Sequence, residues 1–149
     1  MPTMSLRYLQ MDVFAARPGA GNPLGAVLDG AAFDPAQMQA FAAWTNLSET
    51  IFLLPPTVAG ADYRVRIFTP RQELPFAGHP SVGAAWAVLE AGLVPADRST
   101  LVQECAAGLL PVRIEARDGA RLTHVRAPRA REVAVDVPEA LMRGALNGM

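Results

Sequence analysis

Residues 80–91 read Pro80-Ser81-Val82-Gly83-Ala84-Ala85-Trp86-Ala87-Val88-Leu89-Glu90-Ala91. Val82, Ala84, Ala85, Trp86, Ala87, Val88 and Leu89 make the segment apolar nearly all the way round. A helix without a wide polar face is normally buried on most sides. Its neighbours on both sides alternate like strands. Leu9, Met11 and Val13 share one face within residues 6–14, and Tyr63, Val65 and Ile67 interleave with Arg64, Arg66 and Phe68. Further strands are expected over 24–29, 50–54 and 121–126. A hairpin is expected from 100–104 and 109–115, turning at Ala106-Ala107-Gly108. A second helix should start after Asp34, with Pro35 at its first position and Met38, Phe41 and Ala42 on its apolar stripe, and end near Asn46. A short last helix should open at Asp136 and Pro138. The order predicts an α+β domain of about six strands, in which a curled, mostly antiparallel sheet wraps a central apolar helix.

The composition agrees. Of 149 residues, 51% are hydrophobic and 18% charged, enough apolar material for one packed core. A net charge of -1 gives no overall field toward nucleic acid. The arginines between Arg121 and Arg131 read as a solvated strand edge and loop. The single cysteine, Cys105, has no disulfide partner and no metal-ligand spacing around it, so no metal is expected. No apolar run reaches the roughly 18 residues of a membrane span, and the opening MPTMSLRYLQ lacks an apolar signal core. The expectation is a soluble cytoplasmic protein that engages neither membrane nor nucleic acid.

Two segments could carry chemistry. In Asn46-Leu47-Ser48-Glu49-Thr50, Glu49 precedes the apolar run TIFLL, so its carboxylate should be poorly hydrated and suited to proton transfer. A surface glutamate before a strand is the bland alternative. In Phe76-Ala77-Gly78-His79-Pro80-Ser81-Val82-Gly83, glycine lets the backbone approach a ligand, and the first-turn N–H groups suit a carboxylate. His79 would sit at the positive end of that helix as a neutral, hydrogen-bonding imidazole, or simply cap it. His124, within a strand, reads as structural, and Cys105 as buried and inert. There is no nucleophile elbow, phosphate loop or dinucleotide fingerprint.

Asp12-Val13-Phe14, Gly21-Asn22-Pro23, Asn46-Leu47-Ser48-Glu49-Thr50, Phe68-Thr69-Pro70 and Glu73-Leu74-Pro75-Phe76-Ala77-Gly78-His79-Pro80 occur in this order. Over residues 8 to about 128 the series resembles the PhzF-like family of phenazine-biosynthesis isomerases. The resemblance implies the diaminopimelate-epimerase-like fold, with two similar halves, each a sheet curled around a helix, and a cleft between them. It implies a cofactor-free isomerase that moves a proton on a dihydro-hydroxyanthranilate-like carboxylic acid. Glu49 would be the general acid/base and His79 would help hold substrate, with Asn22, Ser48, Gly78 and Ser81 as further substrate-binding residues. Related epimerases carry a catalytic cysteine where this chain has Ala77, which argues against a two-thiol mechanism. Family members are about twice this length, and their second half supplies a further catalytic aspartate with no counterpart after Pro128. Residues 1–130 therefore read as the N-terminal domain, and 131–149 as a linker and the start of a missing second one. The other wall of the cleft would come from a second copy, as a homodimer, or from a partner chain. The alternative is a truncated, non-catalytic remnant that binds a small molecule or another protein.

Overall fold

The computed structural model describes residues 5–132. Strands β1 (Tyr8–Val13) and β2 (Asn22–Val27) pair antiparallel. A single 3-10 turn (Gly30–Ala32) then leads into α1 (Pro35–Thr45). As its sequence predicts, α1 is capped by Asp34, whose Oδ1 accepts from Gln37 N at 2.8 Å, while Gln37 Oε1 accepts from Asp34 N at 2.9 Å. It ends at Asn46, which takes the left-handed conformation (φ 53°) common at helix ends. Next come β3 (Glu49–Leu54), parallel to β2, and β4 (Tyr63–Phe68), antiparallel to β3. The following loop contains a two-residue strand, β5 (Glu73–Leu74), paired with β4. The apolar segment forms α2 (Gly78–Glu90). Strands β6 (Thr100–Cys105), β7 (Gly108–Arg117) and β8 (Ala120–Val125) complete the described chain.

The strands lie in the order β1-β2-β3-β4-β6-β7-β8, with β5 beside β4. There are eight among the described residues, more than the six or so expected, and the strand expected at 24–29 lies two residues earlier. The helix expected from Asp136 lies outside the described residues. The pairs β2–β3 and β4–β6 are parallel and the rest antiparallel. Both parallel steps cross the sheet in the same direction, but β2 and β3 run opposite to β4 and β6. Right-handed crossovers then place their helices on opposite faces.

Two separate cores match that geometry. On one face α2 buries Ala84, Ala85, Val88 and Leu89 against Leu24, Ile51, Leu53, Val65, Ile67, Leu101 and Val112. On the other, Met38 and Ala42 of α1 meet Val27, Phe52 and Phe68, and rings at 33, 41, 52 and 68 pack edge-on or tilted. Alternation along β3 serves both: Ile51 and Leu53 face α2, and Phe52 faces α1. The second core was not anticipated. Helix α2 sits so close to the sheet that a Cβ on Gly83 would stand 2.3 Å from Leu24 Cδ2 and 3.0 Å from Val13 Cγ2. Its one large departure from the expected burial is Trp86, 42% exposed on the side away from the sheet. No helix among the described residues is long and apolar enough to cross a membrane.

Candidate active site

Glu49 is the first residue of β3, and the alternation that points Ile51 and Leu53 at α2 points Glu49 the same way. The turn before it is held by Thr45 Oγ1, which donates to Ala42 O at 3.0 Å and lies 3.0 Å from Thr50 Oγ1. His79 is the second residue of α2. These two elements bring together side chains thirty positions apart. Glu49 Oε2 and His79 Nε2 lie 3.4 Å apart, with the side chains only 17% and 10% exposed. That is close enough for an ion pair when the imidazole carries a proton, yet the two are not aligned as a hydrogen bond. Both atoms are buried and lack any hydrogen-bond partner among the described residues. A buried polar group left unsatisfied costs about 1–3 kcal/mol, so such pairs occur where a ligand or a reaction uses them.

The other expected site residues fall in different places. Ser48 Oγ donates to Asn22 Oδ1 at 3.4 Å, and both residues are exposed beside Glu49. Asn22 opens β2 immediately after Gly21, where a Cβ would stand 2.4 Å from the Val13 carbonyl oxygen. Only glycine permits that closure of the 14–21 loop, which Asp12 also staples by accepting from Gly19 N. Gly78 is exposed at the start of α2, whose N-terminus has no side-chain cap, leaving first-turn N–H groups free for an anion.

Ser81 belongs to the interior instead. It is fully buried, its hydroxyl donates to Ala77 O at 2.8 Å, and it accepts from Gln103 Nε2 at 3.0 Å. Its side chain is thus spent on the protein itself. Gln103 was missed, although it occupies the same strand face as the buried Leu101 and Cys105, where an amide is out of place. Cys105 is buried with its thiol 3.7 Å from Gly108 O, and His124 is exposed on β8 with Nε2 3.4 Å from Glu115 Oε2. Arg121, Arg126, Arg129 and Arg131 are all exposed, and Arg121 pairs with Glu90 at 2.8 Å.

The family model described as phenazine biosynthesis-like protein, PhzC-PhzF, matches residues 11–148. The chain belongs to the PhzC-PhzF family. Among curated proteins, a trans-2,3-dihydro-3-hydroxyanthranilate isomerase of Pseudomonas aeruginosa is 42% identical over 113 residues, 76% of this chain and 39% of that protein. Antisense-enhancing sequence 1 of Schizosaccharomyces pombe is 45% identical over 108 residues, 72% of this chain and 36% of that one. A solved PhzF-family structure from Bacillus anthracis superposes with a TM-score of 0.73 at 35% identity, covering 80% of this chain and 40% of its own. A solved structure described as a probable proline racemase from Agrobacterium radiobacter, at 20% identity and a TM-score of 0.59, shares the fold. This PhzC-PhzF chain spans about two fifths of the length of the curated relatives it matches.

Proposed function

We propose that this chain supplies the proton-transfer wall of an isomerase acting on a small carboxylic acid of the dihydro-hydroxyanthranilate type. The observation that carries this reading is the buried, unpartnered pair Glu49 Oε2 and His79 Nε2, 3.4 Å apart at an uncapped helix start. A substrate carboxylate would bind the free first-turn N–H groups at Gly78 and His79. His79 would hold a polar substituent. The Glu49 carboxylate would take a proton from one ring carbon and return it to another, forming an enol that relaxes to the ketone. The reaction is redox-neutral and every proton is accounted for, so the scheme uses no cofactor. Asn22 and Ser48 would line the rim.

The second wall would come from a further segment: the remainder of a longer protein, a partner chain or a second copy. The isomerase names of the relatives support the reaction class, and the uncapped start of α2 supports the need for a covering wall.

The test is deuterium uptake from heavy water into trans-2,3-dihydro-3-hydroxyanthranilate, with wild type and Glu49→Gln side by side. The expected result is uptake by wild type and a loss of about two orders of magnitude or more in the variant, at unchanged folding. Equal uptake by both would remove Glu49 from the mechanism. Binding of the acid without uptake by either would favour a non-catalytic binding domain.

A further inference from the structure

A chain of buried hydrogen bonds runs from the middle of the sheet to the start of α2. The Tyr63 hydroxyl donates to Gln103 Oε1 at 3.2 Å, Gln103 Nε2 donates to Ser81 Oγ at 3.0 Å, and Ser81 Oγ donates to Ala77 O at 2.8 Å. Gln103 and Ser81 are fully buried and Tyr63 is 3% exposed. Donor and acceptor roles are fixed throughout. The Ser81 proton goes to a carbonyl, so its oxygen must accept from the Gln103 amide nitrogen, and the amide oxygen is left to accept from Tyr63. Burial, with help from Asp62 and Cys105, pushes the Tyr63 phenol well above its ordinary value, so it stays a neutral donor.

We propose that Gln103 is a positioning residue that, through Ser81, holds the start of α2 so that His79 meets Glu49. Ala77 is the residue that precedes α2, and it has no side-chain cap to offer. Its carbonyl accepts both Ser81 N at 3.2 Å and Ser81 Oγ. Ala77 and Ser81 bracket Gly78, His79 and Pro80, so the turn that carries His79 is pinned on both sides. Glu49 reaches the same point on β3, which shares none of these bonds. The His79–Glu49 separation is therefore set on one side by the Gln103 relay. A polar side chain on the apolar face of β6 is costly unless its hydrogen bonds are used, and here one anchors Gln103 to Tyr63 on β4 and the other leads to the start of α2.

This inference deepens the site reading but rests on geometry alone, and its test needs no substrate. The chain has two histidines, His79 and His124, so the second is an internal control. Ring-nitrogen NMR shifts report the ratio of the two neutral imidazole tautomers. Gln103→Met, similar in length, is expected to change that ratio for His79 by about threefold or more while His124 stays put. Tyr63→Phe, which removes only the far end of the relay, is expected to move His79 in the same direction by less. An unmoved His79 in folded Gln103→Met overturns the proposal. Should that variant not fold, an unmoved His79 in Tyr63→Phe does the same. If Glu49→Gln keeps full deuterium uptake while Gln103→Met shifts His79, the isomerase reading falls and the positioning role stands.

Discussion

Phe14 holds φ at 61°, in the left-handed region that bulky side chains avoid, and leaves its ring 72% exposed. It stands one residue past β1, at the mouth of the loop closed by Gly21 and Asp12. Left-handed backbone costs an ordinary residue about 1–2 kcal/mol, and glycine's extra chain entropy costs about 0.5–1 kcal/mol. Phe14→Gly is therefore expected to raise stability by about 0.5–1 kcal/mol in denaturant titration. A fall of more than about 1 kcal/mol would mean that the ring is packed rather than free. The Asp12-Val13-Phe14 motif made this position visible in the sequence, but its backbone strain was not, because φ depends on how the 14–21 loop closes. Glu49 and His79 were legible individually, each from its local motif. Their meeting at 3.4 Å was not, because it depends on the docking of α2 against β3.

At the level of elements, local signals were read well and pairings less so. The start of α1 was plain because Asp34 and Pro35 act within one turn. Strand β5 was hidden by its length, two residues between prolines 70 and 75. The parallel pairs were hidden because each needs a crossover that no short window contains. The join between β4 and β6 shows how side chains can replace a ladder. Only Tyr63–Gln103 and Arg64–Glu104 are paired there. Around them Asp62 accepts from Val102 N at 2.7 Å and pairs with Arg98 at 2.9 Å. Glu104 accepts from Thr57 N at 2.7 Å and from the Thr57 hydroxyl, with Arg64 3.7 Å away. Burial pushes the Glu104 carboxyl up, but hydrogen bonds from the Thr57 side chain and amide and from the Val58 amide, with Arg64, outweigh it and hold the group below its ordinary value. A carboxylate lowered by folding stabilises fully above its unfolded value, and that stabilisation is lost as pH falls through the folded one. Glu104→Gln is expected to melt a few degrees below wild type at neutral pH, with the gap closing below about pH 4. A gap that persists unchanged in acid would show that the ionised carboxylate is not what stabilises this join.

For the whole molecule, the apolar segment 80–91 was enough to foresee a sheet curled around a helix, because a helix without a polar face leaves few other arrangements. The aromatic core beneath α1 was harder to see, since Phe33, Phe41, Phe52 and Phe68 are scattered over thirty-odd positions and meet only once the sheet has two covered faces. The sheet is also unevenly sewn. Strand β3 shares five residue pairs with β4 and β6 shares six with β7, while β4 and β6 share two. Amide exchange should therefore sort the strands into two cooperative units, β1–β4 and β6–β8, that open with different free energies. Comparing protection at pH 7 and at about pH 3, after correction for intrinsic rates, should show β6–β8 losing protection first as Glu104 is neutralised. Uniform loss across all strands would mean that the sheet opens as one body. Gln103 belongs to the unit expected to open first, while Glu49 belongs to the other. Each excursion of β6–β8 would withdraw the brace behind His79, so the lifetime of a well-formed site would be the closed lifetime of a joint on the far side of β4 from Glu49.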